Sequence, residues 1–209
     1  MLRLVGITPK YRKGPLMSMR TCSLKIPVVE PSGFVVIDTE TTGGGAKARV
    51  IEIGMVFLSK RATFQGEFST LVYGDGDSGE WFVKRKHGIR NEDLLDAPRF
   101  KELAPQFLEA IKGRILFAHN ASFDLAQLNH ELARVRRRKI SHMGCTIGLG
   151  IHLGFGRMSL TKAVENLGMT REYPHVALDD ARAAAELLKY YKRHDRRKFH
   201  EYLNIQGLS

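Results

Sequence analysis

Two cysteines, Cys22 and Cys145, are all that 209 residues contain. So few exclude a disulfide framework and a cysteine-rich zinc site, and they suit a reducing cytoplasm. In such a compartment the sequon-like Asn120-Ala121-Ser122 is not a glycan acceptor. No apolar run reaches the roughly 18 residues a membrane-spanning helix needs, so no membrane partner is expected. The opening Met1-Leu2-Arg3-Leu4-Val5-Gly6-Ile7 is interrupted too soon to read as a signal peptide. Proline is scarce and unevenly placed: of seven, Pro9, Pro15, Pro27 and Pro31 fall before residue 32. There is no internal repeat.

What remains is enough for one well-buried domain, with 43% hydrophobic residues over this length. The formal charge is +11 and is gathered rather than spread. Residues 1–32 set six basic side chains against Glu30, Arg134–Lys139 holds five with no acid, and residues 189–209 set six against Asp195 and Glu201. The remaining body is slightly acidic. Positive charge collected in two terminal segments and one loop suits a polyanion, and nucleic acid is the leading candidate. The boundaries that follow are a basic, flexible N-terminal extension over 1–32, a folded domain over 33–192 and a basic C-terminal tail over 193–209.

Phe34–Ile37, Val50–Phe57 and Thr63–Tyr73 read as three strands, the opening of an antiparallel meander. A short helix is expected near Asn91, a longer one over Phe100–Ile111, and a fourth strand over Ile115–Ala118. Another helix covers Phe123–Val135. Residues 143–153 are ambiguous, because Gly144, Gly148 and Gly150 weaken a helix. Ser159 is placed to cap Leu160–Leu167, with Gly168 at its end, and a last helix runs over Ala177–Tyr191. Strands first, then strand and helix alternating, predict an α/β fold: a mixed sheet flanked by helices.

The first strand ends in Asp38-Thr39-Glu40. Residues i and i+2 of a strand share a face, so two carboxylates stand roughly 6–7 Å apart along it. Like charges so placed repel one another and resist desolvation, and a divalent cation balances them most naturally. Asp124 lies in line with Leu128, Leu132 and Val135 on its helix, and Asp180 in line with Ala184, Leu187, Leu188 and Tyr191. Asp179 is turned about 100° away and is expected to stay solvated. Four acids at the inward edges of separate elements make a hard-oxygen cage suited to Mg²⁺ or Mn²⁺. His175 falls in the loop before the last helix, where an imidazole would hang over such a cage and serve as a general base rather than as a ligand.

The segments Asp38-Thr39-Glu40-Thr41-Thr42-Gly43, His119-Asn120-Ala121-Ser122-Phe123-Asp124 and His175-Val176-Ala177-Leu178-Asp179-Asp180 resemble the three motifs of the DEDDh 3′→5′ exonucleases. The resemblance runs from about residue 33 to 192 and is strongest to the proofreading epsilon subunits of bacterial DNA polymerase III. His87-Gly88-Ile89 has its counterpart there. It implies a ribonuclease H-like fold with a mixed five-stranded sheet, its first three strands antiparallel. It implies two divalent cations, Mg²⁺ or Mn²⁺, held by Asp38, Glu40, Asp124 and Asp180, with His175 taking a proton from the attacking water. It further implies that Thr39, Thr41, His87, Asn120 and Phe123 surround the 3′ nucleotide. Trp81 and Phe82 are expected to pack in the core.

A polymerase is the protein partner implied by the resemblance. The basic extension before residue 33 and the short stretch after the last expected helix depart from those subunits and favour a free-standing nuclease. Single-stranded DNA 3′ ends are the expected substrate; RNA or short oligoribonucleotides are the alternative. A catalytically dead nucleic-acid-binding module should have lost an acid or the histidine, and all five are present.

Overall fold

The computed structural model describes residues 32–171 and 173–208. The basic extension expected over 1–32 lies outside them apart from Ser32. Strands β1 (Phe34–Thr41), β2 (Val50–Leu58), β3 (Phe64–Leu71), β4 (Ile115–Ala118) and β5 (Gly144–Cys145) form one sheet in the order β3-β2-β1-β4-β5. The β1–β2 and β2–β3 pairs are antiparallel, while β1–β4 and β4–β5 are parallel. This is the mixed five-stranded ribonuclease H-like sheet that the sequence implies.

β1 is central, and its apolar half is buried on both faces. Val35 and Ile37 join the cluster with α2 (Phe100–Ile111) and α3 (Ala121–Arg134). Phe34 and Val36 point the other way, toward α4 (Thr146–His152), α5 (Leu160–Glu165), α6 (Ala177–His194) and α7 (Arg196–Ile205). Each fully buried branched side chain contributes about 1.5–3 kcal/mol against exposure. A strand held from both sides projects its C-terminal end, Asp38 to Thr41, from a fixed base.

β2 lets α6 come unusually close. Gly54 is the register partner of Asp38, and a Cβ there would lie 2.3 Å from the backbone of Ala177 and Leu178. The start of α6, which carries Asp180, therefore rests directly on the sheet. Gly54→Ala must push that backbone away. Since displacements near 1 Å can cost about a hundredfold in rate, the expected result is a kcat roughly tenfold to a hundredfold lower, together with a lower melting temperature. Steady-state kinetics and thermal melts of the variant test this.

Several elements differ from the sequence reading. Trp81–His87 forms a helix, α1, where none was expected, and the helix near Asn91 is a single 3-10 turn over Asn91–Leu94. The ambiguous stretch 143–153 resolves into β5 and α4. Its glycines are packing requirements: a Cβ on Gly144 would meet the Phe117 ring at 2.5 Å, and one on Gly150 the Tyr191 hydroxyl at 2.7 Å.

Residues 196–205, left by sequence in a basic tail, form α7, with Phe199, Tyr202 and Leu203 buried. The Tyr202 hydroxyl accepts from the Cys145 N–H and lies at donating distance from its carbonyl, both at 3.1 Å. Ser159 caps α5 as expected, accepting from the Lys162 N–H at 3.3 Å. No helix among the described residues is long and apolar enough to cross a membrane.

Candidate active site

Four carboxylates reach the C-terminal end of β1 from both layers. Asp38 and Glu40 leave the strand on the α6 face, half-buried. Asp180 sits in the first turn of α6, buried, and Asp124 in the first turn of α3, also buried. Thr39 alternates to the opposite face of β1 and fixes Asp124: its N–H and its hydroxyl both donate to one carboxylate oxygen, at 3.0 and 2.8 Å. The sequence reading gives Thr39 to the substrate; the structure assigns both of its donors to the acid.

The electrostatic cost of this gathering is visible in the acidities. Asp38 is raised well above the ordinary carboxylate range, first by desolvation, then by Asp124, Asp180, Glu40 and Glu52. Asp124 is pushed up to about 7, chiefly by burial, with the Thr39 bonds opposing. Burial also raises Asp180, against the pull of Arg171. A site that holds its acids so reluctantly ionised suits a multivalent cation.

The fifth carboxylate in that group, Glu52, was missed by sequence. It stands directly across from Glu40 in the β1–β2 register, is buried, and accepts the Ala177 N–H at 3.2 Å. Its signal is an acid in the middle of Val50-Ile51-Glu52-Ile53, a run in which every neighbour is buried.

His175 is exposed on the loop before α6, in a left-handed backbone conformation (φ 63°). Its N–H donates to Asp180 at 3.2 Å. A ring nitrogen and oxygens of Glu40 and Asp180 all lie within 4.8 Å of one another, close enough for a shared cation. The imidazole thus stands at the edge of the carboxylate cluster.

Arg171 is a second residue that sequence did not single out. Its buried guanidinium pairs with Asp180 and donates to the Thr161 hydroxyl of α5 at 2.9 Å. The pair leaves one Asp180 oxygen to Arg171 and the other to the His175 N–H. Removing one partner of a buried pair is costly, about 3 kcal/mol. Arg171→Gln is accordingly expected to lower the melting temperature of the cation-free protein, and to enlarge the rise in melting temperature that Mg²⁺ produces. Melting curves with and without Mg²⁺ measure both; an unchanged Mg²⁺ response contradicts a guanidinium that competes at Asp180.

Among the other residues assigned to the nucleotide, Asn120 is exposed at the start of α3 with φ 68°, and Phe123 is half-buried beside it. Thr41 is buried, donating to the Gly43 carbonyl at 2.7 Å. His87 is fully buried at the end of α1, and its Nδ1 accepts the Ile89 N–H at 2.9 Å. The side chains of Thr41 and His87 are thus buried and engaged locally, with neighbours two residues away.

Asp179, expected to be solvated, is instead paired with Arg182 at 2.8 Å, which also grips Glu67. Trp81 and Phe82 are not in the core: they are 69% and 47% exposed.

Comparison with known proteins places the chain in a family. Residues 35–188 match the model of the exonuclease family RNase_T. The DNA polymerase III subunit epsilon of Treponema pallidum is 36% identical over 166 residues, 77% of this chain and 76% of that one. That of Buchnera aphidicola is 39% identical over 119 residues, 54% of this chain; the match spans half the length of that relative. Among solved structures, the nuclease domain of 3′hExo, described as a DEDDh family member bound to rAMP, superimposes with a TM-score of 0.63 at 18% identity, over 77% of this chain and 92% of that one. The chain belongs to the exonuclease family and is an enzyme of its DEDDh 3′→5′ type.

Proposed function

We propose that residues 33–192 are an exonuclease domain that hydrolyses nucleoside 5′-monophosphates from the 3′ ends of single-stranded DNA with two divalent cations, Mg²⁺ or Mn²⁺. The observation that carries this reading is the convergence of Asp38, Glu40, Asp124 and Asp180, with His175 in reach of two of them. The donor set fits such ions: all-oxygen, multiply acidic, and raised in pKa by burial, with neighbouring carboxylates adding to it at Asp38 and Asp124. Asp38, Glu40 and Asp180 would hold one ion, and Asp38 with Asp124 the other. When bound, the cations supply charge neutralisation at the scissile phosphate and a lowered pKa for the attacking water.

The chain's own groups do the rest. Thr39 keeps Asp124 aimed at the end of β1. His175, exposed to solvent on one side and beside Glu40 and Asp180 on the other, accepts a proton from water in the attack. Asn120 and Phe123, open at the start of α3, are proposed to contact the terminal nucleotide. The exposed run Arg136–Lys139 offers the phosphate backbone a sequence-independent attraction.

DNA is favoured because the relatives above are named as subunits of a DNA polymerase, and the same names support association with a replicative polymerase. A reducing cytoplasm fits the two cysteines. The deciding test is an assay of matched DNA and RNA oligomers, single-stranded and duplex, with Mg²⁺, with Mn²⁺ and with EDTA. Release of 5′-mononucleotides from DNA 3′ ends, lost in EDTA, is the expected result; faster release from RNA overturns the DNA assignment.

A further inference from the structure

Six large apolar side chains among the described residues are strongly exposed, and only Trp81 and Phe82 are neighbours. They open α1, their rings edge to face at 6.2 Å. Their helix has no acid in its first turn and carries Lys84, Arg85 and Lys86 in its last. The Arg85 guanidinium lies over the Trp81 ring at 6.0 Å. An apolar pair needing only burial would have no use for this positive flank. An unpaired polyanion with flat bases does.

α1 is also held firmly beside the catalytic end of β1. Gly79, two residues before the helix, is pressed so close to Thr42 that a Cβ would lie 2.4 Å from the Thr42 carbonyl oxygen. Thr42 is two residues beyond Glu40. Ser78 is fastened to Asn91 by two hydrogen bonds, at 3.1 and 2.7 Å. At the other end His87 is fully buried, and Ile89 packs with Ile51, Leu71 and Leu94. The aromatic pair therefore stands on a fixed mount at the rim of the site.

We propose that Trp81 and Phe82, with the basic turn behind them, form a stacking platform for the unpaired nucleotides next to the one being removed. The proposal rests on the nuclease reading and adds a strand-holding surface to it. Base stacking on an aromatic ring tolerates any sequence, which a trimming enzyme requires, and the flanking cations meet the backbone phosphates. The pair would set how well a strand is held, leaving the hydrolysis to the carboxylates.

Trp81 is the only tryptophan in the chain, so its fluorescence reads the platform directly. The experiment titrates full-length Asp38→Ala, which leaves the oligonucleotide uncut, with oligothymidylate in Mg²⁺. Trp81 fluorescence is expected to be quenched saturably. Adding Trp81→Ala and Phe82→Ala to that chain should weaken oligothymidylate binding roughly tenfold for each ring removed, while thymidine 5′-monophosphate binds as before. Oligothymidylate that binds without changing the fluorescence overturns the platform. So does an equal loss of mononucleotide affinity, which would place the rings in the terminal pocket. Quenching that follows protein concentration rather than oligonucleotide overturns it in favour of self-association. Nuclease activity of the wild-type chain, read separately, tells a failure of the functional reading from a failure of the platform.

Discussion

Asp38→Ala will abolish nucleotide release and, without cations, will melt at a higher temperature than the wild type. The two effects have one cause. Asp38 is the carboxylate on which the others converge: desolvation first, then Asp124, Asp180, Glu40 and Glu52, all raise its pKa. Taking it away removes the acid shared by both proposed ions, and a loss of metal-assisted charge stabilisation is worth several kcal/mol, roughly a thousandfold or more in kcat. The same deletion relieves a buried like-charge cluster, in which the Arg171 guanidinium pairs with Asp180. A gain of about 1 kcal/mol corresponds to roughly 2–4 °C in a chain of this size. Activity within tenfold of wild type contradicts the mechanism. A lower melting temperature contradicts the electrostatic account even if activity is lost.

The second large effect is a cation-dependent reversal of the stability–pH profile. Asp124 holds its proton to about pH 7 when folded, whereas an unfolded aspartate releases it near 4. A group raised in this way stabilises the fold at low pH, and that stability drains away as pH climbs from about 4 to about 7. Asp38 and Asp180 act in the same direction.

His119 opposes them: burial lowers it to about 4, so it stabilises above about 6.5 and its contribution is lost on acidification toward 4. From about pH 6.5 to 7.5 folded His119 is already neutral and its unfolded form is losing the last of its proton, so the raised carboxylates outweigh it. In EDTA the melting temperature should therefore fall across that window, by roughly 3 °C. With Mg²⁺ or Mn²⁺ the acids are held ionised by their ligand, and the fall should vanish or become a rise. Melts at closely spaced pH values in EDTA and in Mg²⁺ provide the comparison. A cation-free melting temperature that climbs through the window rules out the raised acids as its source.

Much of this site could be read from sequence because its acids break local patterns. Asp38 and Glu40 end an apolar strand, and Asp124 and Asp180 lie on apolar helix stripes. Each is out of place by the rule that governs its own element. Glu52 breaks a rule too, but a single acid inside a nine-residue strand also fits an ordinary edge, and its burial depends on α6 crossing Gly54. Arg171 follows no periodicity, and only the fold brings it to Asp180.

Bulky aromatics usually go to the core, which is why Trp81 and Phe82 read as core residues, yet among the described residues the start of α1 is left exposed. For α7 the spacing of Phe199, Tyr202 and Leu203 was present, hidden among Arg196, Arg197, Lys198 and His200. Asp179 escaped solvent because Arg182 lies one turn on and Glu67 lies across on β3.

The hydroxyl of Tyr202 has a consequence for assembly. By meeting both the N–H and the carbonyl of Cys145, it occupies the positions that the main chain of a sixth strand would take beside β5. A phenol carried on α7 thus acts as a stopper on that side of the sheet. The edge left open in the described residues is β3, which exposes Phe64 at its start. Among the described residues, strand pairing with another chain, whether a partner's or that of an aggregating copy, is accordingly favoured at β3 over β5.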